Sequence, residues 1–414
     1  MISVAEASES ILARIGALSE ETVATGNAAG RVLSSAVTAG ISSPPWDNSS
    51  MDGYAVRSED FQNGGRASLR VVEEIAAGAF PSRSLGAGEA ARVMTGAPVP
   101  DGADSVIRRE DTDDGRDVVS IRELRDLGKN IRRKGEDFRA GDALFAAGET
   151  VSVAHIGALA SAGIKSVNIH RRPRIAIISS GDELVELDEF SDDLAGKKIV
   201  SSNSLTLAAL VRDAGGEPVE LGIARDTEAS IRAKLDQARE ADLIITSAGI
   251  SVGDHDHVRA AFKALGGILD FWKVRMRPGA PLAFGMLGGT PWIGLSGNPV
   301  SAIVTFELFV RPAVRKMLGS HLLFRQTLAV RVGSPMTLSA PLMHFLRVKV
   351  DRTPAGDYVA NLAGSQSSGV LTAMARSNAL LILPGDKLDI AEGETHRALP
   401  LAESFSDSDR LVLA

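Results

Sequence analysis

Residues 247–256 form the segment whose residue types and spacing most directly suggest chemistry. They follow the short β-branched run 243–245, which predicts a buried strand. Their two glycines allow the backbone to approach an anion closely, and their two serines add hydroxyl groups. Asp254 and Asp256 would repel a phosphate unless a hard cation such as Mg²⁺ bridges them. The segment therefore suggests a Mg²⁺-dependent site for a phosphorylated ligand. For this loop alone, the alternative is a polar turn in which Asp256 caps the next helix.

Polar segments also follow four other predicted strands in the same part of the chain, at residues 179–183, 224–226, 275–281 and 296–299. In an open α/β sheet, ligands bind beyond the carboxyl ends of the strands. Acidic residues at three strand ends, in segments 179–183, 224–226 and 247–256, are expected to converge on one cation, while N–H groups at helix starts face an oxyanion. Each segment alone has a structural alternative, because Asp226 could cap a helix and Asn298-Pro299 is a good helix start. Their joint placement favours a functional site.

The composition excludes several other kinds of site. Without cysteine, the chain has no disulfide, thiolate nucleophile or cysteine metal ligand. His255 and His257 have no third partner at a suitable spacing, which argues against a histidine-based zinc centre. There is neither a lysine-bearing P-loop nor a GxGxxG pattern.

Charge and hydropathy limit the partners. A net charge of −7 argues against general nucleic-acid binding. No apolar run approaches the ~18 residues of a membrane span, and no signal peptide is evident at the N-terminus. We therefore expect a cytoplasmic protein without nucleic-acid or membrane partners.

The chain divides into three regions, because 414 residues exceed what one core can hold. Residues 1–172 mix short helices and strands, beginning with a capping box of Ser3 and Glu6. Residues 173–319 alternate strands with helices, which predicts a mainly parallel sheet covered by helices. Residues 320–414 contain only short strands, which is typical of a small β-barrel or sandwich.

The periodicity of the last two regions gives specific elements. Central strands are predicted at 175–178, 218–223, 243–246, 268–274, 282–286 and 292–295. Central helices are predicted at 203–213, 228–239, 257–265 and 299–318, and a Gly288-Gly289 turn indicates one hairpin. The predicted C-terminal strands are 328–332, 345–350, 358–362 and 379–383.

Several longer motifs resemble those of one family. They are residues 44–57 (PPWDNSSMDGYAVR), 94–100 (MTGAPVP), 135–137 (GED), 180–184 (SGDEL), 251–254 (SVGD) and 297–301 (GNPVS). The resemblance covers nearly the whole chain, and the first two motifs are highly specific in combination. On these residues the chain resembles the molybdopterin molybdenumtransferases, the MoeA-type enzymes, a family that includes the E domain of gephyrin.

The resemblance implies a multidomain α/β plus β fold in an elongated homodimer. The N-terminal mixed α/β region would carry a separate β-rich lobe at about 46–140, followed by a central molybdopterin-binding three-layer α/β domain and a C-terminal small β-barrel. The implied reaction takes adenylated molybdopterin (a pterin nucleotide) and molybdate and, with Mg²⁺, releases AMP and forms the molybdenum cofactor. The family dimer brings the N-terminal region of one subunit to the α/β domain of the other. Molybdoenzyme clients and other cofactor-synthesis proteins are further possible partners.

Matching positions and the strand-end segments give the expected site residues. The expected catalytic residues are Asp52, Thr95, Asp137, Glu183, Asp226 and Asp256, of which Glu183, Asp226 and Asp256 are the expected metal ligands. The residues expected to bind substrate are Ser180, Gly181, Asp182, Ser247, Gly249, Ser251, Gly253, Asp254, Arg277, Pro278, Gly279, Pro281, Ser296, Gly297, Asn298, Pro299 and Ser301.

The chain departs from the family pattern where the oxyanion would bind. Arg277 and Ala280 stand where lysines are common, so one cation is changed and another is lost. We therefore expect weaker molybdate binding than in relatives with both lysines, unless Arg315, Arg347 or another basic side chain compensates. Two other functions stay open at this point: a paralogue that inserts another oxyanion such as tungstate or serves one client enzyme, and a catalytically silent scaffold.

Overall fold

The computed structural model describes residues 1–62, 68–191, 196–249 and 257–401. Helix α1 (Val4–Ala13) opens the chain, and the predicted capping box is confirmed, with Ser3 and Glu6 each accepting from the other's backbone N–H. Its buried residues Ala7 and Ile11 pack into the core of the central region. In the part of the chain that the structure describes, no helix has the length and apolarity needed to cross a membrane.

The N-terminal region contains a lobe that is inserted between two paired strands. Strand β1 (Glu20–Ala24) pairs antiparallel with β11 (Ser166–His170), so the chain leaves and returns at one place. The strands between them are β2 (Val37–Thr38), β3 (Asn48–Ser49), β4 (Gly53–Val56), β5 (Ser68–Ile75), β6 (Glu89–Val93), β7 (Ser105–Arg108), β8 (Val118–Ser120), β9 (Ile131–Arg132) and β10 (Ala143–Phe145), and helix α2 (Val153–Ser161) precedes β11. The lobe is a five-stranded sheet in the order β7-β4-β6-β5-β8. It has hydrophobic clusters of its own, one of them around Tyr54 and Ile107.

The central sheet sets the geometry of the predicted site. Its strands are β12 (Arg174–Ser180), β15 (Glu217–Ala224), β16 (Leu243–Ser247), β17 (Ile268–Lys273), β19 (Pro281–Leu287) and β20 (Thr290–Leu295). Their order is β15-β12-β16-β20-β19-β17, and only β19 runs against the others. The predicted hairpin at Gly288 and Gly289 is confirmed, and both glycines have positive φ. The carboxyl ends of the other five strands therefore lie at one edge.

Helices cover both faces of this sheet, as predicted. They are α3 (Ser202–Ala214), α4 (Glu228–Gln237), α5 (His257–Ala264), α6 (Pro299–Thr305) and α7 (Arg311–Met317), and a π-helical turn joins α6 to α7. One hydrophobic cluster joins the sheet to α1, α3, α6 and α7 on one face. A second joins it to α4 and α5 on the other face. Each helix buries its apolar stripe against the β-branched strands, which gives the three layers.

The C-terminal strands close into a barrel. They are β21 (Leu328–Val332), β23 (Met343–Arg352), β24 (Tyr358–Leu362), β25 (Ala379–Leu383) and β27 (Thr395–Pro400), and β23 pairs with both β24 and β25 to complete the ring. Short strands β22 (Met336–Thr337) and β26 (Asp389–Ile390) pair beside it. The prediction of strands alone is wrong in one respect, because helix α8 (Leu371–Ala375) lies between β24 and β25. Its five residues are too few to give a visible helical periodicity in the sequence.

Two short segments complete the site edge. Strand β13 (Leu184–Val185) pairs in parallel with β14 (Ile199–Val200) and so places residues 199–200 beside the acidic segment that follows β12. Strand β18 (Met276–Arg277), from the loop after β17, pairs with β23 of the barrel. The central loop 275–281 is thereby attached by backbone pairing to the C-terminal barrel.

Candidate functional site

A cavity of about 670 Å³ lies at the carboxyl edge of the central sheet. Segments after β12, β16 and β20 line it, together with the start of α3, as expected for a ligand site in an open sheet. The predicted site residues that line it are Ser180, Glu183, Ser247, Gly249, Pro281, Ser296, Gly297, Asn298 and Pro299. We refer to this space as the first cavity.

The first cavity presents neutral polar groups without protein partners. The hydroxyls of Ser179 and Ser180 are buried and make no hydrogen bond in the described part of the chain. An unpaired buried hydroxyl costs about 1–3 kcal/mol, which a bound ligand can recover. The Asn203 amide donates to Ser247 Oγ at 2.8 Å and to Gly297 O at 2.9 Å, which ties two walls together. Ser179 and Asn203 were not among the predicted site residues, although both lie in or beside polar segments at strand ends.

The loop after β16 is strained where it enters the first cavity. Ala248 has a φ of 77°, a left-handed conformation that costs a residue with a Cβ about 1 kcal/mol or more. Gly249 follows with a φ of 69°, and a Cβ there would lie 2.3 Å from Val258 and 3.0 Å from the Ser180 hydroxyl. A larger residue at 249 would therefore fill the space beside that hydroxyl. Ser251, Gly253, Asp254 and Asp256, which were predicted to complete this loop, lie outside the described residues.

A second cavity of about 720 Å³ lies between the central sheet and the barrel. The loop 276–281 forms one side of it, and Ser301 from α6 also contributes. The barrel side includes His344, Arg347 and Gln366. The predicted residues Arg277, Pro278, Gly279 and Ser301 therefore line this second cavity and not the first. Pro281, Ser296 and Asn298 line both.

Arg347 is the most unusual side chain of the second cavity. It is fully buried at 0% exposure. One of its terminal nitrogens donates to Ser365 O at 2.7 Å and to Ser367 O at 3.1 Å. Its Nε and Nη1 have no partner, and no carboxylate pairs with it among the described residues. Burial lowers the pKa of Arg347, but arginine keeps its charge at neutral pH. A buried guanidinium with unpaired N–H groups is unfavourable by itself, and those N–H groups are donors of the kind that suit an oxyanion.

The structure places differently the two arginines that the sequence named as substitutes for the missing lysine. Arg315 donates to Thr150 Oγ1 at 3.0 Å and to Ser320 Oγ at 2.9 Å, and it lines neither cavity. Arg347 lines the second cavity together with the exposed Arg277. Of these two arginines, only Arg347 shares a cavity with Arg277, and its compensation for the missing lysine stays a prediction.

The acidic residues after β12 and β15 form a linked pair. The backbone N–H of Asp182 donates to Asp226 Oδ2, and that of Asp226 donates to Asp182 Oδ1, both at 3.2 Å. The alternative in which Asp226 caps the next helix is wrong, because Thr227 is the N-cap of α4 and accepts from Ser230 N. Lys198 also donates to the backbone carbonyl of Asp182. Asp226 is thus free for a role other than helix capping.

The chemistry of these donors suits Mg²⁺, which prefers carboxylate oxygens. Asp182 Oδ2 and Asp226 Oδ1 make no hydrogen bond within the described residues, and Glu183 is exposed at the wall of the first cavity. Within residues 1–62, 68–191, 196–249 and 257–401, no group of three acidic or histidine side chains is arranged to hold a metal. The third expected ligand, Asp256, lies outside that part, so the Mg²⁺ site stays a prediction.

The predicted N-terminal residues come together in part. Asp52 Oδ1 accepts from Thr95 N at 2.7 Å and from Thr95 Oγ1 at 2.8 Å, and these bonds lower the pKa of Asp52. The backbone N–H of Asp137 donates to Ser43 O, and its exposed side chain has no hydrogen-bond partner in the described structure. Neither Asp52, Thr95 nor Asp137 lines either cavity. Within one chain, these residues stand apart from the central site.

Comparison with known proteins covers the whole chain. Family models match the MoeA N-terminal region (domains I and II) at residues 2–163, a probable molybdopterin-binding domain at 176–316 and the MoeA C-terminal region (domain IV) at 329–401. A crystal structure of a molybdopterin biosynthesis MoeA protein from Pyrococcus horikoshii superposes with a TM-score of 0.82 at 28% identity, covering 97% of this chain and 100% of the other.

Curated relatives give the same result. A molybdopterin molybdenumtransferase 2 from Mycobacterium tuberculosis is 40% identical over 381 residues, which are 90% of this chain and 93% of the relative. A molybdopterin molybdenumtransferase from a Nostoc species is 38% identical over 90% of this chain and 86% of the relative. The Staphylococcus aureus enzyme of that name is 33% identical over 100% of this chain and 98% of its own. The chain therefore belongs to the MoeA family of molybdopterin molybdenumtransferases.

Proposed function

We propose that the chain inserts molybdenum from molybdate into adenylated molybdopterin, with Mg²⁺, and releases AMP. The observation that carries this proposal is that two cavities with different polar groups share part of their walls. The first offers neutral hydroxyls and an amide, and the second offers the buried Arg347 and the exposed Arg277. Two such spaces side by side suit a reaction between a pterin nucleotide and an oxyanion.

Each cavity suits one substrate. The unpartnered hydroxyls of Ser179 and Ser180 suit the polar edge of a pterin or the oxygens of its phosphate. Molybdate is a tetrahedral dianion, so charge-assisted bonds from a guanidinium suit it better than neutral donors. Arg347 keeps two nitrogens without protein partners, and Arg277 adds a second positive charge. We therefore assign the pterin nucleotide to the first cavity and molybdate to the second.

AMP release requires cleavage of a phosphoanhydride. Water adds to the phosphorus on the pterin side, the bond from that phosphorus to the bridging oxygen breaks, and AMP leaves with that oxygen. The attacking water gives up one proton to solvent and becomes a phosphate oxygen. We assign Mg²⁺ binding to Glu183 and Asp226 together with Asp256; when bound, the ion acts as a Lewis acid that stabilises charge on the phosphates. The reciprocal bonds between Asp182 and Asp226 hold the two loops in register, so the carboxylates are positioned before the substrate arrives.

The N-terminal residues Asp52, Thr95 and Asp137 can contribute to the reaction only from a second subunit. Asp52, Thr95 and Asp137 stand apart from both cavities of their own chain. We propose a homodimer in which the lobe of one subunit supplies them to the first cavity of its partner. The hydrogen bonds from Thr95 keep Asp52 ionised and oriented, with Oδ1 engaged.

The deciding experiment incubates purified protein with adenylated molybdopterin, Mg²⁺ and either molybdate or tungstate. AMP is followed by chromatography, and metal bound to the pterin is measured by mass spectrometry. We expect AMP release together with molybdenum incorporation. Incorporation of tungsten alone would instead identify a paralogue for another oxyanion, and absence of both AMP and bound metal would refute the proposal.

A further inference from the structure

The two cavities meet at one place. Pro281, Ser296 and Asn298 line both of them. Pro281 begins β19, and Ser296 directly follows β20, the strand that is paired with β19 through Leu282 and Leu295. Asn298 stands two residues further on, at the start of α6. The shared wall is therefore a narrow strip at the end of one strand pair.

Ser296 places a hydroxyl on this strip. Its side chain is mostly buried, with 8% of the residue exposed, and its Oγ accepts from the backbone N–H of Asn298 at 3.3 Å. Because that bond uses the oxygen as acceptor, the hydroxyl hydrogen is left to donate. No acceptor for it occurs among the described residues.

Asn298 adds an amide that does not serve the helix it precedes. It is the N-cap of α6, with Pro299 at the first helical position, yet its side chain makes no capping bond. An N-cap asparagine usually accepts from the first turn of its helix. Here the exposed side chain has no hydrogen-bond partner in the described structure and borders both cavities.

We infer that Pro281, Ser296 and Asn298 form the passage through which the oxyanion reaches the pterin, with Ser296 and Asn298 as positioning residues that orient it for transfer. This inference rests on the proposed function. Molybdopterin presents two neighbouring sulfurs; in the balanced step, its two S–H groups react with molybdate to form two Mo–S bonds. One oxo group leaves as water with both thiol protons, and three oxo groups remain. Molybdenum stays hexavalent, so no oxidant or reductant is required.

Two substitutions test the passage. Asn298→Leu removes the amide and narrows the opening, and Ser296→Val removes the hydroxyl. The exposed Asn27, which borders neither cavity, provides the matched control Asn27→Leu. Molybdate binding without pterin and pterin-nucleotide binding without molybdate are measured by calorimetry, and molybdenum incorporation is measured in a single turnover.

We expect both variants to bind each substrate within about twofold of the wild type, while incorporation slows at least about tenfold, since misplaced reactants lose rate more than affinity. The control should match the wild type in all three measurements. Melting curves verify that the variants are folded. If Ser296→Val proves to be unfolded, the test rests on Asn298→Leu, which removes no hydrogen bond because the Asn298 side chain makes no capping bond. Normal incorporation by Asn298→Leu would refute the passage, and so would loss of either binding step in that variant. An inactive wild type would refute the proposed function itself.

Discussion

The two cavities differ in charge although they share a wall. The first is lined mainly by serines, glycines and Asn203, with Glu183 as an acidic group on its wall. The second has Arg277, His344 and Arg347 on its walls, and Arg347 has no acidic partner in the described structure. A buried cation without a counter-ion is unfavourable unless an anion binds beside it. Under the proposed function, this contrast separates the two substrates by charge before they react.

Removing the buried charge of Arg347 should have the largest effect on the difference in charge between the two cavities. We expect Arg347→Met to lower molybdate affinity by roughly 10- to 150-fold for each charge-assisted bond lost, because each is worth about 1.5–3 kcal/mol. Pterin-nucleotide binding should change little. The control is Arg331→Met, the same change at an exposed arginine of the barrel paired with Asp357. Calorimetric titration with molybdate measures the effect, and equal affinities in the two variants would exclude Arg347 from the oxyanion site.

Removing a carboxylate beside the first cavity should impair chemistry without unfolding the chain. We expect Glu183→Ala and Asp226→Ala to slow AMP release about 100-fold and weaken its Mg²⁺ dependence, with melting temperatures unchanged or raised, since clustered carboxylates repel each other. Thr227→Ala is the matched control. It removes the true N-cap of α4, so it should cost about 0.5–2 kcal/mol of stability with activity kept. Normal turnover in both acidic variants would contradict the metal site.

The partner's contribution to the first cavity can be tested by mixing inactive chains. We expect Asp52→Ala and Glu183→Ala to be inactive alone and to recover part of the activity when mixed, since a mixed dimer contains one intact composite site. AMP release is measured before and after subunit exchange. Sedimentation that shows only monomer at micromolar concentration, or no recovery despite demonstrated exchange, would remove the composite site.

The loop on the other side of the second cavity should have a smaller effect than Arg347. Arg277 is exposed, so we expect Arg277→Ala to weaken molybdate binding by less than about tenfold, because solvent screens its charge. Ala280→Lys should tighten binding to a similar extent by restoring a second cation. Molybdate titrations of both variants decide the matter, and unchanged affinity in both would assign the oxyanion to the barrel side alone.

The smallest expected effect concerns pH. Hydrogen bonds from Thr95 N and Oγ lower the pKa of Asp52 in the folded protein. Its stabilising contribution is therefore present above the unfolded pKa of about 3.9 and is lost as pH falls through the lower folded pKa. Thr95→Val should lower the melting temperature at pH 6, and the difference should shrink as the pH falls below the unfolded pKa of Asp52. The control Thr22→Val, which loses a bond to the neutral Asn168, should show a difference that does not change over this range.

Sequence reasoning was most successful where chemistry follows a regular pattern. The strands of the central sheet and the polar residues at their ends could be predicted because β-branched runs alternate with amphipathic helices. Arg347 could be suggested only as one of several cations. It stands alone in a barrel strand, and its importance depends on the closure of the barrel and its docking against the loop 275–281. The sequence did not show whether Asp226 or its neighbour caps α4, because both residue types are common at N-caps. In the structure the cap is Thr227, the next residue.

The pairing of β18 with β23 has a consequence for how this site can evolve. The backbone bonds between these strands place Arg277 opposite His344, which lies three residues before Arg347 on β23. Main-chain pairing does not depend on which side chains the strands carry. Substitutions at 277 or 280 can therefore alter the attraction for an oxyanion while the frame that holds its binding groups stays the same. Under the proposed function, single substitutions in this loop would change the selectivity among oxyanions without a new fold or a rebuilt pocket.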